Sequence, residues 1–131
     1  MLDIFASFAT DELAEVNGTW LPFNGAKLLI ARAGNRKYVK TLTKKVETFQ
    51  KELDAQDEAA DKRSDEIMAE VFAESILLGW ENVGFKGAPM DYSKDNAKTL
   101  LLVKDFRRAV AALSDDMNNY RVKVEAEQVK N

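Results

Sequence analysis

The sequence predicts an α+β fold, mainly helical, with a small N-terminal antiparallel β hairpin or meander packed on three to five helices. Three observations carry that expectation. The six glycines cluster at residues 18–34 and 79–87, and the stretches 36–78 and 88–131 contain none. Glycine-free, charge-rich stretches read as helix, which confines turns and extended backbone to the front and the middle. Before residue 35 an Asn17-Gly18 pair separates two runs rich in apolar residues, and after it the apolar residues recur every three or four positions. A chain of 131 residues that is 46% apolar is about one domain's worth and buries roughly two thirds of its unfolded surface. The expected organisation is one domain over 1–131, β-rich over 12–34 and helical over 35–127.

Leu13-Ala14-Glu15-Val16 and Thr19-Trp20-Leu21-Pro22-Phe23 flank Asn17-Gly18. An Asn-Gly pair accepts the positive φ angles of a type I′ turn, so these runs read as a hairpin. A short helix over Asp11 to Val16, capped by Thr10, is the competing reading. Pro22 makes the second strand an edge or ends it. Ala26 to Arg32 is a further candidate strand.

Asn35 is the expected N-cap of the first long helix, whose apolar face is Tyr38, Leu42, Val46, Phe49 and Leu53. A charged stretch, Asp54 to Glu66, leads to a wider face of Ile67, Met68, Val71, Phe72, Ser75, Ile76 and Leu78, with Gly79 as its stop. Trp80 to Tyr92 reads as a compact linker. Ser93 caps the last helical region, where Leu100, Leu101, Phe106, Val110, Leu113, Met117, Tyr120 and Val124 form a stripe. That region is one helix or two, broken at Ser114, and Gln128 to Asn131 fray.

Composition closes many chemistries. With no cysteine there is no disulfide, thiolate zinc site or cysteine nucleophile, and with no histidine there is no Ser-His-Asp relay or imidazole ligand. No Gly-rich phosphate cradle occurs. Asp57, Asp61 and Asp65, and likewise Glu66, Glu70 and Glu74, recur every four residues and would make a carboxylate site for a hard cation. A solvated acidic face explains the same spacing, and no EF-hand glycine is present. Arg36, Lys37, Lys40, Lys44 and Lys45 form a basic patch, but a net charge of −3 argues against nucleic acid. Residues 36–56 carry six bases and three acids, whereas 57–79 carry two bases and seven acids, which suits a helical hairpin with complementary faces. The N-terminus lacks a basic secretory region, and no apolar run approaches the roughly 20 residues that span a bilayer. The expectation is a soluble intracellular protein without catalysis, cofactor or metal, offering surface to partners. Trp20, Trp80, Phe85, Tyr92 and Tyr120 are its large candidates for interface or core, with Trp80 and Phe85 read as core plugs between helices.

Several segments then occur in a characteristic order. Asn17-Gly18-Thr19-Trp20 precedes a strand from Leu28 into Arg32 to Tyr38 and its basic helix; an acidic helix ends in Leu77-Leu78-Gly79-Trp80. Val83-Gly84-Phe85-Lys86-Gly87-Ala88-Pro89-Met90-Asp91-Tyr92-Ser93 and a helix bearing Leu100 and Leu101 follow. This order resembles the tail assembly chaperones of long-tailed bacteriophages over roughly residues 12–130. The resemblance implies a late, non-catalytic protein of the infected host's cytoplasm. It would coat the tape-measure protein, help recruit tail-tube subunits, and be left out of the virion. A short protein that covers a long rod must bind in many copies, so self-association, or an open head-to-tail array, is expected in turn. Beside the resemblance, the acid balance and the lack of a spanning apolar run give the expectation of neither a nucleic-acid nor a membrane partner. Trp20, Tyr38, Trp80, Gly84, Phe85, Gly87 and Tyr92 are the motif residues the resemblance singles out as possible partner contacts. A structural head–tail or tail-terminator component retained in the virion is the alternative, and a carboxylate-metal enzyme using Asp57, Asp61 and Asp65 is a third reading. The resemblance also implies a longer form, made by ribosomal frameshifting, that engages the tube protein. Val129-Lys130-Asn131 can be encoded as GTA-AAA-AAC, whose A-AAA-AAC heptamer lets both bound tRNAs re-pair after slipping back one base.

Overall fold

The computed structural model describes residues 1–122. Val124, the expected helix end at residue 127 and the slip site at Val129 to Asn131 lie outside the described residues.

The chain opens with two short helices. α1 (Ile4–Phe8) starts at Asp3, whose carboxylate accepts the Ala6 amide at 3.1 Å. α2 (Glu12–Asn17) is capped by Asp11, which accepts the amides of Leu13 and Ala14. Gly18 ends α2 with φ of 87°, its amide donating to the Ala14 carbonyl. The expected hairpin around Asn17-Gly18 is therefore a helix end. A glycine free to take positive φ serves a helix C-terminus as readily as a hairpin turn, and the Asp11 cap decides between them. Thr10 is not the cap; its hydroxyl donates to Glu15 at 2.7 Å.

The hairpin lies one step further on, where β1 (Thr19–Phe23) and β2 (Ala26–Ile30) pair antiparallel. Its turn is Asn24-Gly25, with φ of 48° and 84°, the two positive values a type I′ turn requires. Pro22 stands on the edge strand, as expected. The pair flanking a two-residue turn exchanges both hydrogen bonds, so the alternation directs Pro22's missing amide outward, where no ladder bond is lost.

α3 (Arg36–Thr48) begins at Asn35, as expected. The Asn35 side chain accepts the Tyr38 amide at 3.0 Å and donates to the carbonyls of Arg32 and Ser75 at 2.7 and 3.1 Å. Phe49 interrupts the helix, so Leu53 belongs to a separate short helix, α4 (Gln50–Asp54). α5 (Glu58–Ser75) starts at Asp57, which accepts the Ala60 amide at 2.8 Å. It stops at Ser75 instead of running to Gly79. Leu77 to Glu81 form β3, which pairs antiparallel with β2 through a bulge at Leu29/Ile30. An unbroken apolar run fits helix and buried strand alike, and the free edge of β2 draws it into the sheet. Gly79 is a strand residue, and a Cβ there would sit 3.5 Å from both the Leu29 Cβ and the Trp20 ring.

The expected linker is a second hairpin of β4 (Gly84–Phe85) and β5 (Ala88–Pro89), turning at Lys86-Gly87 with φ of 52° and 84°. α6 (Lys94–Leu101) starts at Ser93, whose hydroxyl oxygen accepts the Asn96 amide at 3.0 Å. The helical region breaks at Leu102-Val103, and α7 (Lys104–Asp115) follows. Ser114 is buried within α7 one residue before its end, its hydroxyl donating to the Ala111 carbonyl at 2.7 Å. A 3₁₀ turn, Met117–Tyr120, comes next.

The core lies where α5 crosses one face of the β1-β2-β3 sheet. Leu21, Leu28 and Ile30 meet Ala69, Phe72, Ala73 and Ile76, and Leu100, Leu101 and Val110 close it from α6 and α7. Tyr120, 1% exposed, donates its hydroxyl to the Ile30 carbonyl at 3.0 Å, and burial pushes its pKa up to about 12 despite the nearby Arg32. No helix among the described residues is long and apolar enough to cross a membrane.

Candidate partner-binding surface

The acidic rows of α5 do not converge on a common point. Asp57 caps the helix, and Asp65 pairs with Arg107 at 2.9 Å and Lys104 at 3.6 Å. Glu66 meets Arg63 at 2.9 Å, and Glu74 meets Lys94 at 3.1 Å. Glu70 sits between Lys45 at 2.8 Å and Lys98 at 2.7 Å. Burial pushes the Glu70 carboxyl up, but the hydrogen bonds from the two lysines outweigh it and hold its pKa below the ordinary value. Much of the expected solvated face is thus a seam joining α5 to α3, α6 and α7. Among the described residues no group of three or more acids is placed to hold a metal ion.

Most of the motif residues singled out in the sequence build architecture. Trp80 is 7% exposed; its indole N–H donates to the Met90 carbonyl at 2.7 Å, and its ring meets Tyr92 edge-on at 5.0 Å. Tyr92 is half-buried and donates its hydroxyl to the Leu77 carbonyl at 2.9 Å; burial and then Glu74 raise its pKa. Tyr38 stands edge-on to Phe72 at 6.1 Å. Phe85 packs half-buried against the core, with the Lys86 ammonium over its ring at 5.4 Å. Gly84 permits a close approach, since a Cβ there would lie 2.9 Å from the Ala88 carbonyl oxygen, and Gly87 supplies the turn. Trp20 alone among these aromatics stays open, at 48% exposure, on the sheet face away from the core and opposite Leu29. The structure therefore gathers Trp80, Gly84, Phe85, Gly87 and Tyr92 around one hairpin and sets Trp20 apart.

Sequence reasoning passed over the N-terminal arm. Leu2, Ile4, Phe5, Phe8, Leu13 and Val16 are between 48 and 74% exposed, and neither α1 nor α2 buries a residue. Polar contacts hold the arm in place. The Arg121 guanidinium donates to the Ala6 carbonyl, the Asp11 amide donates to the Tyr120 carbonyl at 2.7 Å, and Glu15 pairs with Arg32 at 3.1 Å. Exposed apolar groups of this size and density mark interaction surfaces, because covering them releases about 25 cal/mol per Å². The signal was present in Met1-Leu2-Asp3-Ile4-Phe5-Ala6-Ser7-Phe8: five large apolar residues on a segment too short to build its own core.

No curated protein and no solved structure matches the chain. A family described as the YdaY prophage protein matches residues 33–131, a stretch that takes in α3 to α7 and β3 but not the arm or the first hairpin. Matched over most of its length, from the residues that lead into α3 onward, the chain is of phage origin and belongs to the YdaY prophage protein family.

Proposed function

We propose that this prophage protein is a tail assembly chaperone that binds and coats the tape-measure protein, helps recruit tail-tube subunits and is left out of the mature virion. The observation that carries the reading is the apolar arm: Leu2, Ile4, Phe5 and Phe8 lie exposed on a segment fixed to the domain by polar contacts. Phage origin supports the setting. A long helical client presents apolar stripes that aggregate when uncovered, and an apolar surface on a small, charged domain covers such a stripe while its other faces keep the complex in solution. In this reading the protein works without a catalytic step, cofactor or metal in the cytoplasm of the infected host. A frameshifted longer form carries the contact to the tube protein.

The test is co-expression with the tape-measure protein encoded downstream, followed by a pull-down. The unaltered chain is expected to hold the client in the soluble fraction and to be missing from purified particles. Replacing Phe5 and Phe8 by serine is expected to reduce captured client about tenfold or more, since buried aromatic anchors dominate such interfaces. Failure of the unaltered chain to capture client overturns the reading. Its presence in purified particles supports a retained head–tail or tail-terminator component instead.

A further inference from the structure

We infer that the groove between α3 and α6 is a docking site for an acidic helix of a partner protein, one that carries a row of carboxylates along a single side. No residue of the arm lines this groove, and the inference does not rest on the chaperone reading.

α3 and α6 each pack along α5, held by the edge contact of Tyr38 with Phe72 on one side and the Lys98–Glu70 pair on the other. Between them lies an open groove of about 790 Å³, floored by Glu70, Ala73 and Glu74. Two turns of a helix about 10 Å wide fill roughly 850 Å³, so the groove matches about seven residues of a guest. Its walls differ in charge. On the α6 wall Lys98 is held by Glu70 at 2.7 Å and Lys94 by Glu74 at 3.1 Å, and Lys45 of α3 shares Glu70 at 2.8 Å. Those pairs leave the floor and the α6 wall close to neutral, with Asp95 as an unmatched acid. On the α3 wall Lys37, Lys40 and Lys44 are exposed and make no ion pair among the described residues. The excess positive charge of the groove is therefore concentrated on one side.

The pattern of that wall selects the guest. Lys37, Lys40 and Lys44 follow one another at spacings of three and four, so they lie along one side of α3 over two turns. A guest helix laid beside α3 brings a carboxylate to each lysine when its acids stand at i, i+3 or i+4, and i+7. The aliphatic stems of the lysines and the small Ala73 give its backbone an apolar bed, while the ammonium groups stay at the wet rim. The side of the guest that faces Asp95 carries no acid. A nucleic-acid strand suits the groove less well, because Glu70, Glu74 and Asp95 repel a continuous phosphate chain. Phe49 is the one aromatic in the lining, and a face of its ring is already covered by the Arg63 guanidinium at 4.4 Å, so it makes a poor stacking platform.

The probe is a side-chain-stapled, alanine-rich helix of about 14 residues, with glutamates at i, i+3 and i+7. Backbone amide shifts of the full chain are followed by NMR as this peptide is added at low salt. Saturable shifts are expected at Lys37 to Lys45 and at Lys94 to Lys98. A peptide of the same composition with its glutamates spread around the helix is expected to bind about tenfold more weakly. Raising the salt to about 0.5 M, where the Debye length falls to about 4 Å, is expected to weaken the first peptide by a similar factor. Lys40→Gln with Lys44→Gln is expected to weaken it about tenfold as well, with an unchanged melt, because both are exposed helical positions. Equal binding of the two peptides, shifts confined to other residues, or no saturable shift overturns the inference. Tighter binding of a single-stranded oligothymidylate at the same amides also overturns it, in favour of a nucleic-acid groove. Shifts of those amides with protein concentration alone overturn it in favour of a second copy. Phe5→Ser with Phe8→Ser is expected to leave peptide binding intact, so the groove and the chaperone reading fail separately.

Discussion

Two regions of this small protein treat the same kinds of side chain in opposite ways. Along α5 and the sheet, Ile30, Val71, Ile76 and Leu77 are fully buried, and among the described residues no buried side-chain nitrogen or oxygen lacks a hydrogen-bond partner. Along the first 16 residues, Leu2, Ile4, Phe5, Phe8, Leu13 and Val16 stand in solvent although they are just as apolar. The difference is one of geometry. α5 is long enough to bridge the sheet, α3 and α6, so its apolar face always meets another element. α1 is one turn and a half, and it is anchored through backbone carbonyls and amides, so its side chains are left over. Folding consumes the first set, and the second is spare for association.

The comparison breaks most visibly at Trp80. Trp80→Ala removes a buried ring, its edge contact with Tyr92 and the donor to the Met90 carbonyl. The expected loss is about 3–5 kcal/mol, read by denaturant melts. A loss near zero would place Trp80 outside the folding half of the molecule.

Tyr120 gives the next largest effect, and it is expressed through pH. Its pKa is raised to about 12 from the ordinary tyrosine value of 10.0, so between those values the unfolded chain ionises while the folded one does not. The stability tied to this group is fully present below pH 10 and is lost as pH rises toward 12, amounting to about 2–3 kcal/mol. Tyr120→Phe is expected to flatten that alkaline loss. At neutral pH it costs about 1–2 kcal/mol, because the buried Ile30 carbonyl is left without its hydroxyl donor. Melts at stepped pH check both statements. Asn35→Ala comes third, at about 1–2 kcal/mol, since it strips the α3 cap and the bond to the Ser75 carbonyl that ties the start of α3 to the end of α5.

How far these regions were legible in the sequence follows the same division. The α3 start at Asn35, the α6 start at Ser93, the edge role of Pro22 and the α+β class were legible because caps, prolines and helical periods act locally. Asn17-Gly18 misled because a glycine with positive φ suits a helix end as well as a hairpin, and only the cap at Asp11 separates the two. Leu77 to Glu81 misled because Ser75, Ile76 and Leu78 continue a helical stripe while a strand 47 positions earlier, Leu77's partner Ile30, claims the segment. Long-range pairing of that kind leaves no local mark. Trp80 was legible as a core plug, and the structure seals it, but nothing around Trp20 in the sequence says that this second tryptophan will be open. The arm was overlooked because an exposed apolar residue and a core residue look alike until the partner elements are placed.

The smallest expected change in stability is also the one that decides the function of the arm. Phe5→Ser and Phe8→Ser alter side chains that are 73 and 53% exposed on a helix with no buried residue, so the melting transition is expected to move by less than about 0.5 kcal/mol. The anchoring bonds use backbone groups at Ala6, Asp11 and Tyr120, and serine leaves all of them in place. A surface kept apolar for a partner should show the reverse pattern in binding, a large drop in captured client with an unchanged melt. If stability falls by as much as a core substitution costs, α1 is a packed element and its apolar residues are explained by folding alone. If neither stability nor capture moves, the arm is not the contact surface, and Trp20, the one open aromatic of the sheet's outer face, becomes the residue to replace next.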